Sequence, residues 1–195
     1  MRNTFVGLIR GINVGGAKRV SMGDLRDLMR RLGYGDCRTL LNSGNMVFGG
    51  RGGAGISERI ERAIPDELGI AARVIVLTAA ELEAVVTGND LPEFADDPAR
   101  MHVVFVQNAG ELRRLGVLEK QSWAPELLSV GKHAAYLWCP AGTIKGQLWA
   151  AVGKVLGESA TTRNWATVTK LAALASQGRR AASASHLPIG RAPKQ

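Results

Sequence analysis

The sequence predicts an α+β fold made of two ferredoxin-like (βαββαβ-type) halves packed as one compact unit. Short apolar runs of strand length alternate with amphipathic segments of helical spacing along the chain. The first half gives the order β-α-β-β-α-β, and the order restarts after an acidic loop at residues 89–98. A chain of 195 residues, 46% of them hydrophobic, is long enough for two small halves that share a core. Because the halves show no residue-level identity, element order alone indicates the repeat.

The first half, residues 1–88, opens with the apolar run TFVGLIR, which predicts a buried strand at residues 4–10. A glycine-rich loop follows at residues 11–20. Ser21, with Asp24 three residues later, marks the start of a helix whose apolar residues repeat at helical spacing until Gly33 ends it.

A hairpin is predicted next, because the turn Asn42-Ser43-Gly44-Asn45 joins two short apolar runs. Its composition favours a positive φ at Gly44 or Asn45. The remaining elements expected in this half are a helix from Ile56, a β-branched strand at residues 73–77, and a connecting helix at residues 78–86 capped by Thr78.

The second half, residues 99–175, follows the acidic loop, which is the clearest domain boundary in the sequence. Its periodicities predict a β-α-β-β-α order, in which a helix takes the place of the closing strand. That helix is expected over residues 163–175, with Thr162 as its N-cap and Trp165 on its buried stripe. Strands are expected at residues 101–107, 127–130 and 134–138, and helices at residues 110–120 and 144–155.

The basic excess is uneven along the chain. The 25 Lys and Arg residues exceed the 17 Asp and Glu residues and give a net charge of +8. Residues 63–126 are acidic, whereas both ends of the chain are basic. Residues 176–195 contain Arg179, Arg180, Arg191 and Lys194 without apolar periodicity, which predicts a basic, mobile tail. Since so much of the charge lies in that tail, net charge alone does not indicate a polyanionic partner.

Several classes of protein are excluded by pattern. No apolar run approaches the roughly 20 residues of a membrane-spanning helix, and the N-terminus does not resemble a signal peptide, so we expect a cytoplasmic protein without a membrane partner. Cys37 and Cys139 lie far apart, and the three histidines lack metal-ligand spacing, which argues against a disulfide framework and a metal site. No catalytic residue is predicted, since no histidine lies among the first 101 residues to activate Ser43.

Three segments carry a family resemblance: LIRGINVGGAKRVSMGDLRDLMRRLGY near the start, TLLNSGNMVF in the hairpin, and ATTRNWATVTKLAAL near the end. They resemble, over residues 4–174, a bacterial domain-of-unknown-function family, number 1697, whose members open with RGINVGG. The resemblance implies a two-part α+β fold related to the ferredoxin arrangement. It implies no activity, so no catalytic residue or cofactor is carried over. Ala17 and Met22-Gly23 depart from the family pattern, in which the loop is more often basic and the helix start lacks glycine.

A candidate anion site is predicted where these three segments meet. Glycines in the loop expose backbone N–H groups, and Lys18 and Arg19 add charge just before a helix start. The loop is not a P-loop, because Ala17 displaces the lysine and Arg19 replaces the hydroxyl residue. The predicted ligand-binding residues are Arg10, Asn13, Gly15, Gly16, Lys18, Asn42, Ser43, Asn45, Thr162, Arg163 and Asn164.

Each of these motifs also has a purely structural interpretation. The glycines can serve a tight crossover, the Asn-Ser-Gly-Asn segment can be an ordinary hairpin turn, and the last segment can combine a helix cap with a Trp165 anchor. In that case Arg163 is paired to an internal carboxylate.

Two hypotheses about function follow. The first is a protein that binds a small anionic ligand, such as a nucleotide or a phosphorylated metabolite. The alternative is a non-enzymatic protein-interaction or RNA-binding module that uses its basic ends. The sequence supports RNA binding only weakly, because Phe5 and Phe48 are the only aromatic residues on the first and third strands and the RNA-recognition signature is missing. The sequence leaves open whether the protein is an enzyme, its cofactor and its oligomeric state.

Overall fold

The computed structural model describes residues 2–13, 19–52, 54–91 and 97–184. The first half contains β1 (Arg2–Ile9), α1 (Met22–Arg31), β2 (Gly35–Leu40), β3 (Asn45–Arg51), α2 (Ile56–Leu68) and β4 (Val74–Thr78). Its four strands form one sheet in the order β2-β3-β1-β4, and each neighbouring pair is antiparallel. The prediction of an α+β fold is thereby confirmed.

Local signals in the sequence place the boundaries of this half. The Ser21 side chain accepts hydrogen bonds from the backbone N–H groups of Gly23 and Asp24 and so caps α1. Gly44, in the turn between β2 and β3, has a φ of 72°, as predicted for that turn. Thr78 and Glu81 form a capping box at the start of the next helix.

The second half repeats the arrangement. Helix α3 (Ala79–Thr87) connects the halves, and the following elements are β5 (Met101–Val106), a 3₁₀ helix (Ala109–Leu115), α4 (Gly116–Glu119), β6 (Leu127–Val130), β7 (Ala135–Trp138), α5 (Gln147–Leu156), β8 (Ala160–Asn164) and α6 (Trp165–Ala184). The four strands form a second antiparallel sheet in the order β6-β7-β5-β8. The single helix predicted at residues 110–120 is thus a 3₁₀ helix followed by one α-helical turn.

The prediction of a helix in place of the closing strand is wrong. Residues 160–164 form β8, which pairs antiparallel with β5 and puts Val104 opposite Thr162. The partner strand lies far away in sequence, so local helical spacing did not reveal the pairing. Thr162 therefore does not cap α6. Asn164 does, because its Oδ1 accepts hydrogen bonds from the backbone N–H (3.0 Å) and the hydroxyl (2.6 Å) of Thr167.

Two other boundaries differ from the prediction. Helix α5 begins at Gln147, and Ile144, expected on its buried stripe, is 99% exposed in the preceding loop. Helix α6 continues through the start of the predicted tail to Ala184. At Gly178 it packs so closely on β1 that a Cβ there would lie 3.3 Å from the Thr4 side chain. Residues 185–195 lie outside the described part of the chain.

Three apolar clusters hold the elements together. One lies between α1, α2 and the first sheet, and another between the second sheet and its covering helices. The third lies between the two sheets and includes Val6, Phe105 and Tyr136 together with α3 and α6. Because both sheets contribute to it, the halves share a core and pack as one unit. Within the described ranges, no helix is long and apolar enough to span a membrane.

Candidate functional site

Arg163 in β8 joins the segments that the sequence predicts to converge. Its Nε donates to Oδ1 of Asn45, and its Nη2 donates to the carbonyl oxygens of Ile9 (2.8 Å) and Ser43 (3.2 Å). Its Nη1 donates to Oγ1 of Thr161 (2.9 Å) and to the carbonyl oxygen of Thr162 (2.8 Å). The end of β1, the hairpin turn and β8 therefore meet around one guanidinium group.

The hydrogen bonds of Arg163 define its chemical role. A guanidinium group has five N–H donors, and protein oxygens accept a hydrogen bond from each of them. No donor is left for a direct ligand contact. All the acceptors are neutral, which differs from the carboxylate pairing expected under the structural interpretation. Burial lowers the pKa of Arg163 to about 10, so at neutral pH the site still carries a positive charge that no hydrogen-bonded carboxylate balances.

Asn45 shapes the hairpin turn from inside. The residue is fully buried, and its Nδ2 donates to the carbonyl oxygen of Leu40 (3.1 Å) and to Oγ of Ser43 (2.9 Å). With Oδ1 bound by Arg163, both ends of the amide are occupied. Asn45 is thus a structural link between the turn and β8, while Asn42 is exposed beside it.

Asn13 holds the glycine-rich loop at its base. Its backbone lies in the left-handed region with a φ of 56°. Its Oδ1 accepts from the backbone N–H of Val20 (2.8 Å), and its Nδ2 donates to the carbonyl oxygen of Val20 (2.9 Å). The Asn13 side chain therefore bonds both backbone groups of Val20 and holds the two ends of the loop together. Gly15, Gly16 and Lys18, which the sequence places in the predicted site, lie outside the described residues.

Arg10 links the first half to the second. Its Nη1 donates to the carbonyl oxygens of Gly157 and Ala160, both at 2.5 Å, and its backbone N–H donates to the carbonyl oxygen of Arg73 (2.9 Å). Arg10 also lines an open cavity of about 370 Å³. The other residues around this cavity, which we call the Arg10 cavity, are Gly11, Glu61, Ala71, Ala72, Arg73 and Glu158.

The Arg10 cavity has residues of both charges in its wall. Glu61 is held from two sides, because Arg73 Nη1 lies 3.2 Å from its Oε2 and the backbone N–H of Val74 donates to its Oε1 at 2.7 Å. Glu158 is exposed at the rim. Sequence reasoning missed Glu61, Arg73 and Glu158, since none of them belongs to a motif. The packing of α2 against β4 brings Glu61 and Arg73 together, and the bonds of Arg10 to Gly157 and Ala160 bring the segment that contains Glu158 to the cavity.

Thr162 and Asn164, the other two predicted ligand residues in β8, both support the local structure. Thr162 provides a carbonyl oxygen to Arg163, and Asn164 caps α6 through its Oδ1. The structure thus brings Arg10, Ser43, Asn45 and Arg163 together, and of these four Arg10 lines the cavity described above. Arg10 is consequently the one of these four residues best placed to contact a ligand.

Three other potentially reactive groups in the described part of the chain, Cys37, Cys139 and His102, are affected by burial. Burial raises the pKa of the Cys37 thiol to about 11 and that of the Cys139 thiol to about 12, so neither is an activated nucleophile. The His102 ring packs edge-on against Trp149 at 5.2 Å between ring centroids, and burial lowers its pKa. No group of three metal-ligating side chains occurs among the described residues.

Comparison with known proteins is consistent with this architecture. A family model described as protein of unknown function (DUF1697) matches residues 2–136. The solved structure of the conserved bacterial protein SP0830 from Streptococcus pneumoniae is similar, with a TM-score of 0.76 and 24% identity over 90% of this chain and 99% of that chain. At that identity the similarity shows the fold alone. No curated protein matches the chain significantly.

Proposed function

We propose that this chain, which belongs to the DUF1697 family of proteins of unknown function, binds a small anionic ligand, such as a nucleotide or a phosphorylated metabolite, in the Arg10 cavity. The observation that carries the proposal is that Arg10 and Arg163 both lie at the junction of the halves and donate only to neutral oxygens. Neither guanidinium group is hydrogen-bonded to a carboxylate of the described residues. Such a site attracts an anion because no bonded carboxylate balances the charge of these two arginines.

The two arginines have different roles in this proposal. Arg10 lines the cavity and has N–H donors on Nε and Nη2 beyond the two contacts made by Nη1, so it contacts the ligand directly. Arg163 holds the Ile9 carbonyl, which belongs to the peptide group preceding Arg10, and acts as a positioning residue. The predicted ligand role of Lys18, in the adjoining glycine-rich loop, remains part of the proposal on sequence grounds.

The dimensions and remaining charges of the cavity suit a compact ligand. A volume of about 370 Å³ falls in the range of small-molecule sites. Glu61 is paired with Arg73, which leaves Glu158 at the rim as the acidic group that a ligand meets. An amino group on the ligand, opposite its anionic group, would match Glu158.

The fold itself supports the proposed ferredoxin-like assignment of each half. The strand order is β2-β3-β1-β4 in one sheet and β6-β7-β5-β8 in the other, with β1 and β5 as central strands beside β3 and β7. These orders are the ones that a ferredoxin-like βαββαβ unit requires. A cytoplasmic location also remains part of the proposal.

The alternative of RNA binding on an open sheet has less support. Phe5 and Phe48 are 4% and 1% exposed, because α1 and α2 cover that face of the first sheet. The opposite face packs toward the second sheet. Neither aromatic ring is therefore available to stack on a base.

Isothermal titration with inorganic pyrophosphate and with adenosine monophosphate tests the proposal. We expect Arg10→Ala to weaken binding at least tenfold while the far-ultraviolet circular dichroism spectrum stays unchanged. Arg113→Ala, which removes an exposed arginine that does not line the Arg10 cavity, is the matched control and should leave binding unchanged. Equal weakening by both variants, or wild-type binding by Arg10→Ala, would refute a localised site at Arg10.

A further inference from the structure

We propose a second, independent anion site in the cavity between the end of α1, the end of β3 and the start of α2. This cavity has a volume of about 460 Å³ and is called the Tyr34 cavity below. It is lined by Leu32, Gly33, Tyr34, Gly50, Arg51, Ala54, Gly55, Ile56 and Arg59. Its donors suit the phosphate group of a small phosphorylated molecule.

Tyr34 provides the first observation. The residue is 7% exposed, and its ring packs edge-on against Phe48 with 5.0 Å between centroids. Its hydroxyl has no hydrogen-bond partner among the described residues, although a buried tyrosine normally finds one. The hydroxyl oxygen is not among the fully buried unpartnered atoms either, so water or a ligand can reach it. Because Tyr34 lines the cavity, we infer that this hydroxyl opens into it.

The start of α2 provides the second observation. Its N-cap is Gly55, in the left-handed region with a φ of 81°, and no side chain caps the helix. The first intrahelical bond runs from the N–H of Arg59 to the carbonyl oxygen of Gly55. The N–H groups of Ile56, Ser57 and Glu58 are therefore left without intrahelical partners at the positive end of a 13-residue helix. Gly55 and Ile56 both lie in the wall of the Tyr34 cavity.

Two arginines complete the set of donors. Arg59 lies over the Tyr34 ring at 5.5 Å from its centroid and uses one N–H for the carbonyl oxygen of Leu32 at 2.8 Å. Its remaining donors and the whole Arg51 guanidinium group have no acceptor among the described residues. Neither arginine forms an ion pair there. A phosphate group in this cavity would thus meet two cations, a hydroxyl and a helix N-terminus, a combination typical of phosphate sites.

Gly50 explains how the cavity wall is formed. A Cβ on Gly50 would lie 2.9 Å from Cδ1 of Tyr34, so any side chain there would displace the ring.

Glu58 is the acidic group closest to the helix start, and its Oε2 lies 3.8 Å from a Cβ built on Gly55. It does not line the cavity, and its Oε1 accepts a hydrogen bond from Gln107 at 3.2 Å. Glu58 should therefore weaken anion binding without blocking the site.

The Tyr34 cavity is separate from the Arg10 cavity. The two cavities share no lining residue. Helix α2 contributes Arg59 to the Tyr34 cavity and Glu61 to the Arg10 cavity, and residues two positions apart point to different sides of a helix. Variants at the two sites are therefore expected to act independently.

Titration with inorganic phosphate, followed by backbone amide chemical shifts and calorimetry at fixed ionic strength, tests the site. We expect saturable shifts at Ile56 and Ser57. Tyr34→Phe, which removes only the hydroxyl oxygen, should weaken phosphate binding about fivefold to tenfold, Arg59→Ala should weaken it more, and Glu58→Gln should strengthen it. The control Arg62→Ala removes an exposed arginine of the same helix that does not line the cavity and should change nothing.

The outcomes separate this site from the proposed function. If Arg10→Ala leaves the Ile56 and Ser57 shifts intact while Tyr34→Phe reduces them, the two sites are independent. If phosphate causes no saturable shift at these amides, or if Tyr34→Phe binds phosphate as the wild type does, the proposal is wrong. Either of those results would leave binding at Arg10 unaffected.

Discussion

The guanidinium group of Arg163 donates from Nε to the side-chain oxygen of Asn45 and thereby ties the last strand of the second half to the hairpin turn of the first. Asn45 and Arg163 are separated by most of the chain, yet each provides a hydrogen-bond partner for the other at a partly buried site. Around them the carbonyl oxygens of Ile9 and Ser43 accept the other cross-half bonds of Arg163. The contact is therefore a structural clamp between the halves, and through the Ile9 carbonyl oxygen it fixes the peptide group that precedes Arg10.

The first prediction concerns the stability that Arg163 provides. Arg163→Ala removes a charged donor from five acceptors and leaves the side-chain oxygen of Asn45 buried without this partner. We expect a loss of about 3 kcal/mol in the free energy of unfolding, measured by urea denaturation. Arg113→Ala, at an exposed position, should change it by less than about 0.5 kcal/mol. A similar small change for Arg163→Ala would mean that the clamp does not hold the halves together.

The second prediction compares two glycines with positive φ. Gly44 has a φ of 72°, and a Cβ there would lie 2.8 Å from Cβ of Ile9, whereas Gly69 has a φ of 66° and no atom within 4 Å. Gly69→Ala should therefore cost only the left-handed backbone penalty of about 1–2 kcal/mol. Gly44→Ala should cost at least about 1 kcal/mol more, because the methyl group overlaps the core. Thermal and urea unfolding of both variants measure the difference, and equal losses would contradict the overlap.

The third prediction concerns the reactivity of the cysteines. Burial is the largest cause that raises the pKa of Cys37 from 9.0 to about 11, so at pH 8 its thiolate fraction is about 100-fold lower than that of a free thiol. We expect alkylation of native Cys37 by iodoacetamide at pH 8 to be slower by about that factor, and that of the fully buried Cys139 to be slower still. Mass spectrometry of both peptides gives the rates. A Cys37 rate equal to that of glutathione would disprove the raised pKa.

The same pKa values predict how stability depends on alkaline pH. Both thiols have a folded pKa above the ordinary thiol value of 9.0, so the folded state keeps protons that the unfolded state loses. Their contribution to stability is complete below pH 9 and is lost as the pH rises through about 11 to 12. Replacing both cysteines with alanine should make the decline between pH 9 and 11 shallower in urea titrations. An unchanged slope would assign the decline to other groups.

Sequence reasoning predicted elements with local signals and missed those set by distant pairing. Ser21 and Thr78 mark helix caps and Gly44 marks a turn through their own chemistry, and the sequence predicts each of them at its position. Strand β8 was predicted as a helix start because its only strand partner, β5, lies far away in the chain. A short edge strand of polar residues carries little signal of its own.

The same distinction between local signals and distant packing applies to the residues of the candidate sites. The sequence identified Arg10, Asn45 and Arg163, because a glycine-rich loop, a turn and a polar motif are visible as patterns. It did not reveal that Arg163 donates to main-chain oxygens, since every residue supplies a carbonyl group. The Tyr34 cavity was missed because its wall depends on how α1 and α2 meet over β3 and on the absent side chain of Gly50.

The last prediction tests Asn164 as the N-cap of α6, a role that the sequence assigns to Thr162. Asn164 rather than Thr162 caps α6, because β8 ends at Asn164 and its Oδ1 accepts a hydrogen bond from the backbone N–H of Thr167 at 3.0 Å. Asn164→Ala should therefore lower the free energy of unfolding by about 1 kcal/mol, and Asn164→Asp should largely preserve it. Thr162→Val keeps the carbonyl oxygen that Arg163 uses and the branched shape that suits a strand, so it should be nearly neutral. A larger loss for Thr162→Val than for Asn164→Ala would restore Thr162 as the cap and contradict the strand assignment at residues 160–164.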